Sequence, residues 1–172
     1  MWINRYLYKK LVFFKKILNF GRPNYYLTNM STQNSSLEKT NAAFDAVLIV
    51  EDDPISSLLL QEYLKMENYQ IKCACDGAEA VSEIKKQKGK KFLVLMDIVM
   101  PKMDGIEAAK RIKKIDKNIP VIAQTSQSYN LKDYDMSCFD EVIVKPIDFN
   151  KLKETMNLYR FGTRQLSIEE IY

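Results

Sequence analysis

Four apolar runs of this sequence end on side chains that could do chemistry. In chain order the residues at those ends are Glu51, Asp52, Asp53, Asp97, Thr125, Ser126 and Lys145. If the runs are parallel strands of one open sheet, their carboxyl ends meet at one edge, which is where ligands bind in α/β folds. Several carboxylates, hydroxyls and one ammonium group would then share a single cleft.

Clustered carboxylates at such an edge need a cation, because like charges held close together repel. Since the side chains offer oxygen ligands, a hard ion such as Mg²⁺ is the natural occupant. An aspartate held against Mg²⁺ stays ionised and can attack phosphorus, forming an aspartyl phosphate. The metal, Thr125 and Lys145 could then stabilise charge on the phosphoryl oxygens. This chemistry needs no protein base, which suits a chain without histidine.

The elements that position these residues follow from the hydrophobic pattern. The predicted strands are AVLIV (46–50), YQIKCACD (69–76), FLVLMD (92–97), PVIAQT (120–125) and EVIVK (141–145), with helices at 54–67, 77–87, 106–115 and after Pro146. Strands that alternate with helices predict right-handed crossovers and a parallel sheet with helices on both faces. The stretch between strands four and five has poor periodicity, which predicts a short or irregular helix.

Some acidic residues have structural interpretations. Asp53 precedes Pro54 and is typical of a helix N-cap, Asp104 of a turn, and Asp148 of the cap of the last helix. Met96, Met100 and Met103 are interpreted as packing residues. Cys73, Cys75 and Cys138 are interpreted as small core residues in a reducing compartment, with Cys73 and Cys75 on one face of a strand and unable to bridge each other easily.

The charge distribution argues against a nucleic-acid partner. The 172 residues carry a net charge of +4, but residues 1–37 hold six basic groups and no acid. The remainder is therefore mildly acidic and shows no basic footprint. The length favours one domain, which we expect at 46–160, preceded by an extension and linker at 1–45 and followed by a short tail at 161–172.

The first 29 residues leave three interpretations open. Their apolar stretch is broken by paired lysines, so no run approaches the ~20 residues of a membrane span. They could be upstream sequence translated by mistake, with Met30 as the natural start. They could form a disordered or docking tail. Residues 1–20 could form a basic amphipathic helix on an anionic membrane, although Lys10 interrupts its apolar side, and we favour that least.

Four blocks of the sequence resemble the receiver domain of two-component response regulators. They are VLIVEDDPISSLLLQEYL, LVLMDIVMPKMDGIEAAKRI, IPVIAQTSQ and VIVKPID, within residues 46–160. The ordered set is specific, with 45 residues from Asp52 to Asp97, 28 more to Thr125 and 20 more to Lys145. The resemblance implies a flavodoxin-like α/β fold whose doubly wound five-stranded sheet has the order 2-1-3-4-5.

The resemblance also implies roles for individual residues. Asp97 corresponds to the phosphoacceptor, Thr125 to the switch hydroxyl and Lys145 to the phosphate-binding lysine, before a cis proline bond. For Mg²⁺ it implies Asp52, Asp97 and the backbone carbonyl of Val99 as ligands, with Glu51 acting indirectly through water. Gly105 stands where the chain must turn after the phosphoacceptor loop.

The implied function is that of a cytoplasmic, bacterial single-domain response regulator in a two-component or phosphorelay system. Such a protein accepts a phosphoryl group from a histidine kinase or histidine phosphotransfer protein and switches its contact with an unknown downstream protein. It catalyses its own phosphorylation and dephosphorylation and is not an enzyme on other substrates.

Departures from the family pattern keep alternatives open. Val142 stands where the family usually has an aromatic residue, and Ser126 where it has Ala or Gly. A pseudo-receiver that docks or dimerises without phosphorylation is the main alternative. An aspartyl-phosphate phosphohydrolase would need an acid at position 99, which is Val99. A flavodoxin-like binding protein of another kind is the remaining interpretation. Val99 also cannot hydrogen-bond an attacking water, so the phosphorylated state could be long-lived.

Overall fold

The chain folds into five parallel strands that alternate with helices. A computed structural model describes residues 44–126 and 135–161. Its elements are β1 (Ala46–Val50), α1 (Pro54–Met66), β2 (Ile71–Ala74), α2 (Gly77–Lys86), β3 (Phe92–Asp97), α3 (Gly105–Ile115), β4 (Val121–Ser126), β5 (Glu141–Lys145) and α4 (Phe149–Phe161). The strand order is β2-β1-β3-β4-β5, and each neighbouring pair is parallel. The predicted fold class and strand order are confirmed.

The two central strands are buried along their whole length. Every residue of β1 and β3 is buried, as expected of wholly apolar runs in a sheet covered on both faces. One face packs against α2 and α3 through a cluster that includes Leu48, Met96 and Ile112. The other packs against α1 and α4 through a cluster that includes Leu64 and Met156. The sheet is therefore the middle of three layers.

Four aspartates begin helices, because each side chain accepts a hydrogen bond from a backbone N–H group that the helix itself leaves unpaired. Asp53 accepts from Ser56 at 2.9 Å, and Asp76 and Asp104 accept from the third residue of α2 and α3, at 2.8 Å each. Asp148 accepts from Asn150 at 2.8 Å. The predicted caps at Asp53 and Asp148 are confirmed. Asp104, expected in a turn, also caps a helix, and Asp76 is a further cap.

The interpretation of the three cysteines as core residues is right for Cys138 and wrong for the other two. Cys138 is buried, whereas Cys73 and Cys75 are exposed and unpaired. β2 is shorter than predicted and forms an edge of the sheet, so an outward-facing residue there reaches solvent. Cys73 lies beside Ser57 of α1, whereas Cys75 lies past the end of the strand beside Glu79 of α2. The two thiols do not share one face.

The predicted packing role of the methionines is confirmed. Met96 and Met100 are buried in the core, and Met103 packs against it. The interpretations of residues 1–29, of the linker up to residue 43 and of the tail from residue 162 lie outside the described residues. So does the stretch 127–134 of the segment between β4 and β5, where a short or irregular helix was expected. None of the described helices has the length and apolar character that crossing a bilayer requires.

Candidate functional site

Lys145 joins two buried carboxylates at the carboxyl edge of the sheet. Its Nζ lies 2.8 Å from Oε2 of Glu51 and 2.5 Å from Oδ2 of Asp97. Glu51 follows β1, Asp97 ends β3 and Lys145 ends β5, so the parallel topology brings residues from three strands together. The predicted meeting of these three groups at one edge is what the structure shows.

Asp52 is the third carboxylate at this edge. One carboxylate oxygen each from Glu51, Asp52 and Asp97 can be chosen so that all three lie within 4.8 Å of one another. Glu51 and Asp97 are buried, and Asp52 is exposed to solvent. Asp53 is engaged elsewhere, since it caps α1 and also accepts the Ser56 hydroxyl at 2.7 Å. Asp52 and Asp53 are therefore adjacent in sequence but lie in different environments.

The site holds more negative charge than Lys145 neutralises. Burial raises the pKa of Glu51 to about 7, against the opposing effect of Lys145, and the charge of Asp97 adds to the rise. Burial opposes the charged form of Lys145, but its hydrogen bonds to Asp97 and Glu51 outweigh that effect and raise its pKa. Lys145 is therefore positively charged. It can neutralise one of the two buried acids, Glu51 and Asp97, and among the described residues no second cation pairs with the other.

The loop after β3 holds Asp97 by its backbone. The N–H of Val99 donates to Oδ1 of Asp97 at 3.1 Å, while the Val99 side chain is 57% exposed. Further along, the Gly105 N–H donates to the carbonyl of Ile98 at 2.9 Å. A Cβ on Gly105 would lie 2.1 Å from the carbonyl oxygen of Asp97, so the close approach of two backbones requires glycine there.

Thr125 lies at the same edge, but its hydroxyl points to the backbone. It is buried, and its Oγ1 donates to the carbonyl of Ser126 at 3.2 Å. Among the described residues its hydroxyl has no hydrogen bond to Asp97 or Lys145. The Lys145–Pro146 peptide bond is cis, as the resemblance implied.

An ion pair ties the loop after Asp97 to a neighbouring helix. Lys102 Nζ lies 2.7 Å from Oδ2 of Asp76, the buried cap of α2. The Gly77 N–H also donates to the carbonyl of Met103 at 3.2 Å, and a Cβ on Gly77 would lie 2.7 Å from that oxygen. The sequence pattern does not show this contact, because Asp76 and Lys102 are 26 residues apart on different connections.

Gln124 lies on the strand next to Asp97, and the sequence analysis passed over it. It is 1% exposed, it pairs in register with Asp97, and neither side-chain polar atom has a hydrogen-bond partner in the part of the chain that is described. The signal that could have revealed it is the position of this amide residue, which directly follows the apolar run VIA (121–123) and precedes Thr125.

Comparison with known proteins gives the family. The model of the response regulator receiver domain matches residues 47–157. The chain belongs to this family. The receiver domain is therefore a component of two-component and phosphorelay signalling, and the resemblance seen in the sequence blocks is confirmed.

Similar proteins include kinases and solved receiver structures. The sensor histidine kinase RcsC of Escherichia coli K12 is 33% identical over 123 residues, which cover 69% of this chain and 12% of RcsC. The crystal structure of the response regulator TrrA of Thermotoga maritima, in complex with Mg²⁺ and BeF, is 35% identical with a TM-score of 0.59. It covers 67% of this chain and 98% of the TrrA chain.

A further similar structure is a complex. It is the co-crystal of the Saccharomyces cerevisiae histidine phosphotransfer protein Ypd1 with the receiver domain of its downstream response regulator Ssk1. The match is 26% identical with a TM-score of 0.60, covering 73% of this receiver chain and 96% of the matched chain. The matched region is a small part of the first curated relatives, between 12% and 18% of RcsC and of the yeast transcription factor SKN7.

Proposed function

We propose that Asp97 of this receiver domain accepts a phosphoryl group in a Mg²⁺-dependent reaction and that the modification switches a surface that binds a partner protein. The observation that carries the proposal is the contact of Lys145 with Asp97 and Glu51, beside the carboxylate of Asp52. These contacts support Asp97 as the nucleophile, Lys145 as the cation for phosphoryl oxygens and the carboxylates as metal ligands, all at one edge of the sheet.

The carboxylate cluster suits Mg²⁺. Its donors are oxygens from three different positions near β1 and β3, and hard cations prefer such oxygens. Burial, and to a smaller extent the charge of Asp97, raises the pKa of Glu51, and a divalent cation beside it would favour its ionised form. We assign Asp52, Asp97 and the Val99 carbonyl as direct ligands and Glu51 as a ligand through water. The Mg²⁺ in the TrrA complex supports the same choice of ion.

The chain's own groups carry the phosphoryl transfer. A carboxylate oxygen of Asp97 forms a bond to phosphorus while the bond from phosphorus to the donor atom breaks, and the electron pair leaves with the donor. The Val99 N–H orients the carboxylate, and Lys145 can follow the negative charge onto the phosphoryl oxygens. Thr125 turns its hydroxyl from the Ser126 carbonyl toward the phosphoryl group. Bound Mg²⁺ supplies positive charge that offsets repulsion between nucleophile and phosphate.

These 172 residues contain no histidine, so a phosphodonor histidine has to come from another segment or protein. We propose a histidine kinase or a histidine phosphotransfer protein as that donor. The Ypd1–Ssk1 complex, in which a receiver domain binds a phosphotransfer protein, supports this class of partner. Such a partner must reach Asp97 through the exposed side of the cleft, where Asp52 and the Val99 side chain face solvent.

The test is intact-mass spectrometry after incubation with acetyl phosphate and Mg²⁺. We expect a gain of one phosphoryl mass that is abolished by EDTA and by Asp97→Asn. Asp53→Asn is the matched control, because this substitution alters a nearby carboxylate that caps α1. A folded wild-type protein without a mass gain would overturn the proposal and favour a docking domain that works without phosphorylation.

A further inference from the structure

A buried amide lies in the same row of the sheet as the phosphoacceptor. Asp97 of β3 is in register with Gln124 of β4, which is in register with Ile143 of β5. Leu95, two residues before Asp97, and Ile122, two residues before Gln124, belong to the same core cluster as Ile143. Since side chains alternate along strands, Asp97 and Gln124 project on the same face.

The side-chain amide of Gln124 is not engaged by any of the described residues in this structure. Both its Oε1 and its Nε2 are buried without a hydrogen-bond partner among the described residues. Burying an amide without partners is costly, so such groups are rare in native proteins. A buried polar group of this kind next to a reactive carboxylate indicates a second state in which the group is paired.

Both carboxylate oxygens of Asp97 accept hydrogen bonds from donors other than Gln124 in this structure. Oδ1 accepts from the Val99 N–H and Oδ2 accepts from Lys145. When one oxygen bonds to phosphorus, the negative charge moves onto the phosphoryl group, and a cation follows it. Lys145 then leaves the Asp97 carboxyl group, which loses one of its two donors.

We propose that Gln124 supplies the missing donor: its Nε2–H bonds to the acyl oxygen of phosphorylated Asp97. Adjacent strands lie about 4.8 Å apart, a spacing that the glutamine side chain is long enough to cross. This inference rests on phosphorylation of Asp97 as proposed above. It gives a role to Gln124, which has none in the proposed roles of the carboxylate cluster and of Lys145.

The bond from Gln124 should shorten the life of the aspartyl phosphate. In hydrolysis a water oxygen bonds to phosphorus, the bond between phosphorus and the Asp97 oxygen breaks, and Asp97 leaves as a carboxylate with the electron pair, while the proton of the water stays with the released inorganic phosphate. A hydrogen bond to that carboxyl group strengthens as its charge develops, because charged acceptors form stronger bonds. The amide therefore stabilises the transition state more than the acyl phosphate.

The experiment compares wild type with Gln124→Met, which keeps a similar shape and removes the donor. After phosphorylation by acetyl phosphate and removal of the reagent, the loss of phosphoryl mass is followed with time. We expect Gln124→Met to be phosphorylated on Asp97 and to lose the group about three- to tenfold more slowly. Ile122→Val, a buried change on the same strand and face, should leave the lifetime unchanged.

The outcomes distinguish a failure of this inference from a failure of the proposed function. Equal lifetimes in phosphorylated wild type and Gln124→Met would overturn this inference and leave the proposed function intact. Absence of phosphorylation in the folded wild type would overturn both. If Gln124→Met does not fold, NMR on the wild type decides. The Gln124 side-chain amide should shift when Mg²⁺ and beryllofluoride are added, and an unchanged amide under saturating conditions would contradict the inference.

Discussion

The backbone of Gly105 lies against the backbone of Asp97, and an added Cβ at position 105 would sit 2.1 Å from the Asp97 carbonyl oxygen. The loop that leaves β3 therefore returns to within contact of the residue where it began. Because backbone atoms cannot move aside as flexible side chains do, this contact fixes the conformation of the loop that carries Val99.

Gly105→Ala should therefore displace the loop and damage the site. We expect a loss of about 3 kcal/mol of stability, as for severe overpacking, and a fall in the phosphorylation rate. Gly89→Ala is the control, because Gly89 has a φ of +93° and open space around it. That change should cost about 1–2 kcal/mol through backbone strain alone and leave phosphorylation intact. Urea unfolding and mass spectrometry measure both effects, and an unaffected Gly105→Ala protein would contradict the expectation.

Lys145→Met should change metal binding and phosphorylation in opposite directions. Lys145 contacts both buried carboxylates. Without the lysine their negative charge is no longer partly neutralised, so Mg²⁺ should bind several-fold more tightly. The phosphoryl oxygens lose their cation, so transfer should slow at least about tenfold.

Lys153→Met provides the matched control for Lys145→Met, since Lys153 pairs with Glu67 on the surface. Magnesium titration and the rate of mass gain give the two readouts. Weaker Mg²⁺ binding in Lys145→Met would show that the lysine organises the carboxylates rather than competing with the ion.

The parallel topology explains how much of the site could be predicted from sequence. Asp97 and Lys145 each end a strand, so their placement at one edge of the sheet follows from the parallel strand direction. The reach of Lys145 to both Asp97 and Glu51 depends on side-chain conformation and could not be predicted from spacing. The pairing of Lys102 with Asp76 depends on how two connections pack, which the pattern of apolar residues does not encode.

Two other features show where the apolar pattern misled the sequence analysis. The run around Cys73 looked like a core strand, yet the expected strand order already put that strand at an edge, where residues reach solvent. Gln124 was taken as part of a strand, and its buried, unpaired state became visible through its register with Asp97.

Neighbouring aspartates should differ sharply in their effect on Mg²⁺. Asp52 belongs to the carboxylate cluster, whereas Asp53 caps α1. Asp52→Asn should weaken Mg²⁺ binding at least about tenfold, because a charged ligand is lost. Asp53→Asn retains a good cap and should bind Mg²⁺ nearly as wild type does. Isothermal titration of both variants checks this, and equal losses would indicate a diffuse electrostatic effect instead of a ligand.

The ion pair between Asp76 and Lys102 should make stability depend on pH. The hydrogen bond from Lys102 holds the pKa of Asp76 below its usual value. The unfolded state, with a pKa near 3.9, then binds its proton first as pH falls, so this stabilisation is present above about pH 4 and lost as pH falls through the folded pKa.

Asp76→Asn keeps a helix cap and removes the charge. Its urea midpoint should fall below that of wild type at pH 7, and the difference should shrink at pH 3. Asp104→Asn is the comparison, because Asp104 caps α3 and has no lysine or arginine partner in the described ranges. A difference between wild type and Asp76→Asn that stays constant with pH would rule out the ion pair as its source.

Val99 should prolong the phosphorylated state. Its N–H contacts Asp97 while its side chain faces solvent, and a valine cannot hydrogen-bond a water that attacks the phosphoryl group. Val99→Asn, which can position that water, should therefore lose the phosphoryl group several-fold faster than wild type. Val144→Asn makes the same change at an exposed position on β5 and should leave the rate unchanged. A wild-type half-life of seconds would contradict the expectation, because the valine would then be no obstacle to hydrolysis.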